Sequence, residues 1–114
     1  MASTFQKLFQ PALLSTSAAS PIFTVPTTPT TSLLRNGRVQ VTNFSTTAAA
    51  VTLYAVPVSG SPTTTNVFIN AISIAPNGSI AFDVPQLGAG DTLNGLSGTA
   101  SAMNIQAVDG IIQS

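Results

Sequence analysis

Apolar and polar residues alternate along two neighbouring stretches of the chain. Val39 and Val41 interleave with Gln40 and Thr42; after a link of polar and small residues, Val51, Leu53 and Ala55 interleave with Thr52, Tyr54 and Val56. A period of two places every second side chain on one face of an extended strand. The segment Arg38 to Val58 is therefore predicted to form a β-hairpin, with Tyr54 on its outward face.

The remaining pattern is read in chain order. In residues 1–11, an extended N-terminal arm, Phe5, Leu8 and Phe9 fall at i, i+3 and i+4, the spacing of an apolar patch on one helical turn that Pro11 would end. One turn is unstable alone, so the patch either docks on a neighbouring subunit or covers the end of its own barrel. Ala12 to Leu14 and Pro21 to Val25 are short extended pieces, and Pro21 and Pro26 confine the second to an edge. A Thr/Pro loop follows. From Ser32 to Phe44, Asn36-Gly37 admits two readings, a tight hairpin turn or a bulge within one long strand.

After a loop of small residues, Asn66 to Ile74 is predicted as a strand with Phe68, Ile72 and Ile74 on one parity. The Ala75-Pro76-Asn77-Gly78 turn closes it, Pro76 and Gly78 suiting the dihedrals. Ile80, Phe82 and Val84 mark a half-buried strand ended by Pro85, and residues 86–91 turn again. Thr92 to Leu96 is a weak strand, since Gly95 and Gly98 lower its stability; Met103, Ile105 and Ala107 build the last strand, before Asp109-Gly110. The sum is an all-β chain of seven to eight short antiparallel strands, with turns every 8 to 12 residues or so, the pattern of a β-sandwich or jelly-roll-like barrel. At 114 residues the chain is long enough to bury a core without staples, and residues 12–114 are expected to form a single domain behind the arm.

Composition changes the picture in one respect. Only 5% of residues are charged, the basic Lys7, Arg35 and Arg38 against the acidic Asp83, Asp91 and Asp109. A free-standing soluble domain carries about a quarter. With a mean hydropathy of +0.42, Ser, Thr, Asn and Gln stand where charges usually do, which suits a surface covered by neighbours in an assembly. Three scattered cations cannot neutralise a run of phosphates, so no nucleic-acid partner is expected. No membrane span is expected either, because Pro, Gly, Asn and Ser interrupt every apolar run short of about 18 residues. Leu8 to Leu14 imitates the apolar part of a signal peptide, but Gln10 and Pro11 break it, so removal is not expected.

Chemistry is sparse. Without His or Cys, nucleophile–base pairs of the serine or cysteine hydrolase kind and ordinary zinc sites are excluded. Gly88-Ala89-Gly90 precedes no helix and is a turn, not a nucleotide cradle. Asp83 and Asp91 flank one turn and have the residue type of a glycosidase acid–base pair, but nothing nearby would separate their pKa values. With Asn94 they also offer oxygens to calcium, although an Asp in a turn ordinarily bonds its own backbone. With no Trp and the single Tyr54, the chain lacks aromatic platforms for sugar. No catalytic residue, metal ligand or cofactor is therefore assigned, and no enzyme activity is expected.

Val39-Gln40-Val41-Thr42-Asn43 through Val51-Thr52-Leu53-Tyr54-Ala55-Val56-Pro57 resembles small virion structural proteins of tailed bacteriophages. The resemblance runs on through Thr24-Val25-Pro26, Ile74-Ala75-Pro76-Asn77-Gly78-Ser79 and Leu87-Gly88-Ala89-Gly90-Asp91-Thr92-Leu93, covering about Leu14 to Gly110. It implies a single strand over Ser32 to Phe44, hence a bulge at Asn36-Gly37. It also implies a β-sandwich on the capsid surface of the virion, a decoration (cement) protein bound to the major capsid protein and to copies of itself as a trimer or dimer. The other places such proteins occupy are the neck, tail or fibres, where a module would adhere to host glycans. Phe5, Leu8, Phe9 and Tyr54 are the candidate contacts, inferred from their expected exposure and not from any family motif.

Overall fold

The computed structural model describes residues 3–4, 8–28 and 30–113, without the side chains of residues 3 and 4. Every regular element among the described residues is a strand: β1 (Ser3–Thr4), β2 (Ala12–Leu13), β3 (Phe23–Thr24), β4 (Leu33–Asn43), β5 (Ala49–Val56), β6 (Val67–Ile74), β7 (Ser79–Asp83), β8 (Leu87–Gly88), β9 (Thr92–Ser97) and β10 (Met103–Gln113). They form two antiparallel sheets. One has the order β1-β10-β4-β7, with β2 also on β10 and β8 also on β4; the other has the order β3-β9-β5-β6.

Alternation produces this arrangement because both sheets turn their apolar parity to one shared cluster. Val39 and Val41 of β4, Ile105 of β10, Val51 and Leu53 of β5 and Leu93 of β9 are all essentially inaccessible to solvent and belong to it. Each such side chain contributes about 1.5–3 kcal/mol by leaving water. Arg38 and Gln40, of the opposite parity on β4, remain exposed.

The predicted hairpin from Arg38 to Val58 does not form. β4 pairs with β10, β7 and β8, whereas β5 pairs with β6 and β9 in the other sheet. The link between them, residues 44–48, arches from one sheet to the other and is largely exposed. Periodicity reports which face of a strand is buried, not which strand lies beside it, so an arch and a hairpin share one sequence pattern.

Asn43 makes the arch possible. It has the inward parity of Val39 and Val41, and its side chain is fully buried. Nδ2 donates to the carbonyls of Thr47 and Ile74, each at 2.9 Å. Oδ1 accepts from the Ser45 N–H at 2.9 Å and the Ser45 hydroxyl at 2.7 Å. Backbone groups that leave the ladder where the chain changes sheets thus find partners inside the protein, as burial requires.

Several strands are bent by bulges. β4 is one continuous strand, as the resemblance implies, and Asn36-Gly37 is its irregularity: Arg35 to Arg38 lies opposite only Ile111 to Asp109. Asn36, not Gly37, takes the positive φ, 56°. A second shift leaves Val108 of β10 unpaired, and β10 runs through Asp109-Gly110 to Gln113 instead of ending there. In β6 the predicted single parity fails. Ala71 has φ 51°, its N–H bonds the Thr52 hydroxyl at 3.1 Å, and Val51 and Leu53 face Ile72 and Ile69 across the extra residue. Ile72 is consequently 41% exposed. The turn before β7 forms as expected, the Gly78 N–H closing on the Ala75 carbonyl at 2.9 Å, and Asn77 holds its positive φ (61°). Gly95 also has a packing role: a Cβ there would fall 2.6 Å from Leu53 Cδ2, so its missing side chain leaves the room that Leu53 fills in the core.

Replacing Asn43 with Ala takes its amide from the Ile74 carbonyl and its acceptor from the Ser45 N–H, whereas the Thr47 carbonyl keeps the Ser45 hydroxyl at 2.8 Å. Asn43→Ala should lower unfolding stability by about 2–4 kcal/mol, read as a reduced urea midpoint with an unchanged slope. A loss below about 0.5 kcal/mol would show that the arch does not depend on this side chain.

Candidate functional site

Of the candidate contacts, Phe5 lies outside the described residues. Leu8 and Phe9 are half-buried against the protein's own core and sit in a bend, not in a helical turn. Phe9 meets the ring of Phe23 with centroids 6.4 Å apart, tilted by 38°. Leu8 occupies the space that a side chain at Gly110 would need, its Cδ1 2.6 Å from where a Cβ would stand. The bulged end of β10 therefore seats the arm, and β1 continues it by pairing with β10 at Ile112 and Gln113. These two residues thus cover their own barrel, which was one of the two readings open for them.

Tyr54 has the outward parity expected of it but is half-buried. Its cross-strand neighbours are Asn94 on β9 and Val67 on β6. Asn94 is almost fully buried. Its Nδ2 donates to the Ala18 carbonyl at 2.7 Å and its Oδ1 accepts from the Thr92 hydroxyl at 2.6 Å, so the segment before β3 lies over this part of the sheet.

The acidic residues serve different purposes. Asp91 joins two loops: Oδ1 accepts from the Val58 N–H and Oδ2 from the Gly88 N–H, each at 2.9 Å. Both oxygens are thus committed to backbone, as turn aspartates commonly are. Asp83 faces solvent at the far end of β7. With Asn94 also hydrogen-bonded on both amide atoms, the three oxygen donors considered for calcium are not brought together, and among the described residues no three His, Cys, Asp or Glu groups converge.

What sequence reading missed is a gathering of charge. Arg38 on the central β4 lies opposite Asp83 on β7 and Asp109 on β10. The three flank an open depression of about 480 Å³, completed by Asn36, Gly37 and Val84. Arg38 Nη1 stands 4.0 Å from Asp83 Oδ1, with the two side chains 53% and 86% exposed, while Asp109 Oδ1 accepts from the Gly110 N–H at 2.8 Å. In so much water an ion pair adds at most about 1 kcal/mol. The arrangement orients a cation between two carboxylates and leaves the cluster one negative charge. Only the bulges in β4 and β10 could have foretold it, because the residues lie far apart in sequence.

No family model matches the chain, and no curated protein matches it.

The two turn-flanking aspartates should separate cleanly in stability. Asp91→Ala removes the acceptor of two backbone N–H groups and is expected to cost about 2–3 kcal/mol in chemical denaturation, whereas Asp83→Ala should stay within about 1 kcal/mol. Equal effects would contradict the assignment.

Proposed function

We propose that the two sheets form a jelly-roll-like β-sandwich and that the protein is a structural virion protein of a tailed bacteriophage, a decoration (cement) protein of the capsid surface. The fold reading is supported by strand order. With β1 and β8 set aside, eight strands run β2-β10-β4-β7 and β3-β9-β5-β6, and of consecutive strands only β5 and β6 share a sheet. Such crossing between sheets belongs to the eight-stranded jelly roll, found in viral capsid and lectin domains. The fold alone therefore leaves the function open between building a shell and binding sugar.

The observation that carries the functional reading is the surface. The chain has six charged residues, and Leu13, Phe44, Val58 and Val108 are each about half exposed or more. Amides and hydroxyls whose hydrogen bonds are replaced across a contact, and isolated apolar groups, cost less to cover than charges do. A protein of this kind suits repeated, close contact with a shell. Bound across the joints between major capsid protein subunits, it would bind the assembled state alone and stabilise the DNA-filled head by mass action, without catalysis or a cofactor. The sequence resemblance points the same way.

Copy number is the test. Particles are purified, heads separated from tails, and this chain quantified against the major shell protein by mass spectrometry. A number comparable with the shell protein, recovered with the heads, is the expected result. A few copies travelling with the neck or tail would overturn the decoration role and favour an adaptor or glycan-adhesive module.

A further inference from the structure

Each sheet ends in two edges, and three of these edges are blocked. The β10 edge is covered by β1 and β2. The β9 edge carries β3, held to two residues between Pro21 and Pro26. The β6 edge is bent by the bulge at Ala71. Bulges, prolines and covering segments are the usual means by which sheets avoid pairing with other chains. β7 has none of them. It pairs with β4 without a register shift, contains no proline, and bears a single charge, Asp83, at its end.

Its backbone is also aimed outward in a definite order. The Asn43 N–H donates to the Gly78 carbonyl and the Val84 N–H to the Gly37 carbonyl, so even-numbered positions of this strand bond toward β4. Ser79, Ala81 and Asp83 therefore direct their N–H and C=O groups away from the sheet. Three such residues, evenly spaced about Ala81, form a self-complementary set.

We propose that the β7 edge pairs antiparallel with the β7 edge of a second copy, about a two-fold axis through Ala81. Ala81 then exchanges both hydrogen bonds with the partner's Ala81, and Ser79 does so with the partner's Asp83. Side chains agree with this register. Ser79 already accepts from Gln40 Nε2 at 3.0 Å, which leaves its hydroxyl proton for the partner's Asp83. Ile80, 36% exposed although it has the inward parity of Val41, comes to lie opposite the partner's Phe82. Moving the axis to Asp83 would set two carboxylates face to face and put Ala81 opposite Pro85, which has no N–H to give. Because the chain has no net charge, nothing at long range opposes the approach of two copies.

The test uses the free protein, so its outcome is independent of where the chain sits in a particle. Sedimentation equilibrium should show a monomer–dimer equilibrium. Ala81→Pro removes the two central hydrogen bonds and should weaken the dimer about 100-fold, with circular dichroism unchanged because an outward N–H on an edge strand tolerates proline. The chain contains no cysteine, so Ala81→Cys gives a clean second readout that holds even if the proline variant misfolds. Cα atoms about 5.5 Å apart across the axis permit a disulfide, and oxidation should cross-link this variant much faster than Val108→Cys. A monomer at all concentrations, or a dimer that Ala81→Pro leaves intact and Ala81→Cys fails to capture, would overturn the pairing.

Discussion

The fold turns on one buried carboxamide. Where β4 ends, the chain leaves one sheet and enters the other over a largely exposed link, residues 44–48, whose polar groups no ladder satisfies. Asn43 meets that need with four hydrogen bonds, to Ser45, Thr47 and Ile74. Its reach to Ile74 matters most, because Ile74 ends β6, the strand that carries the chain back toward the first sheet. The Asn43 N–H meanwhile bonds Gly78, and Phe44 bonds Ala102 just before β10. The backbone at these two positions fixes the starts of β7 and β10, and the Asn43 side chain ties the end of β4 to the arch and to the end of β6. A hydrophobic residue at position 43 would satisfy the alternating pattern equally well and lose the side-chain bonds.

How much of this the sequence disclosed depends on the range of the interaction. Alternation in β4, β7 and the first half of β10 is local, and it identified the strands and the buried valines correctly. The partner of each strand is not local. Val39-Val41 and Val51-Leu53 read as two halves of a hairpin because nothing in either segment says that β10 and β9 will lie beside them. Bulges were half legible: Asn36-Gly37 announced itself by composition, while Ala71, an ordinary residue held at positive φ by the Thr52 hydroxyl, gave no sign. The packing role of Gly95 was hidden for the same reason, since Leu53, for which it leaves room, arrives from the neighbouring strand.

The candidate site follows this division. Leu8 and Phe9 carried a correct apolar signal, but which surface they cover depends on Gly110 and Phe23, both distant in sequence. The cluster of Arg38 with Asp83 and Asp109 exists only because β7 and β10 flank β4 in this register. Asp91 was legible as a turn residue, since its bond to Gly88 is local, while its second bond, to Val58, was not.

A chain with so few charges gives up the commonest protection of a sheet edge, the lysine or glutamate that makes a second strand unwelcome. It compensates by geometry at three edges. Leaving the fourth straight is a risk for a free protein at high concentration, where one contact seeds another. The risk would be smaller in a molecule that stands among copies of itself, as proposed. A five-residue ladder is far less than the surface a stable dimer buries, so such a pair is weak alone. On the shell proposed above, which would hold each copy in place, the same pairing would become an intramolecular event at high effective concentration, and a weak contact repeated over the lattice would add to every other. The scarcity of charge and the open β7 edge would then have one physical explanation: both make the protein poor at avoiding neighbours, which is useful where neighbours are fixed.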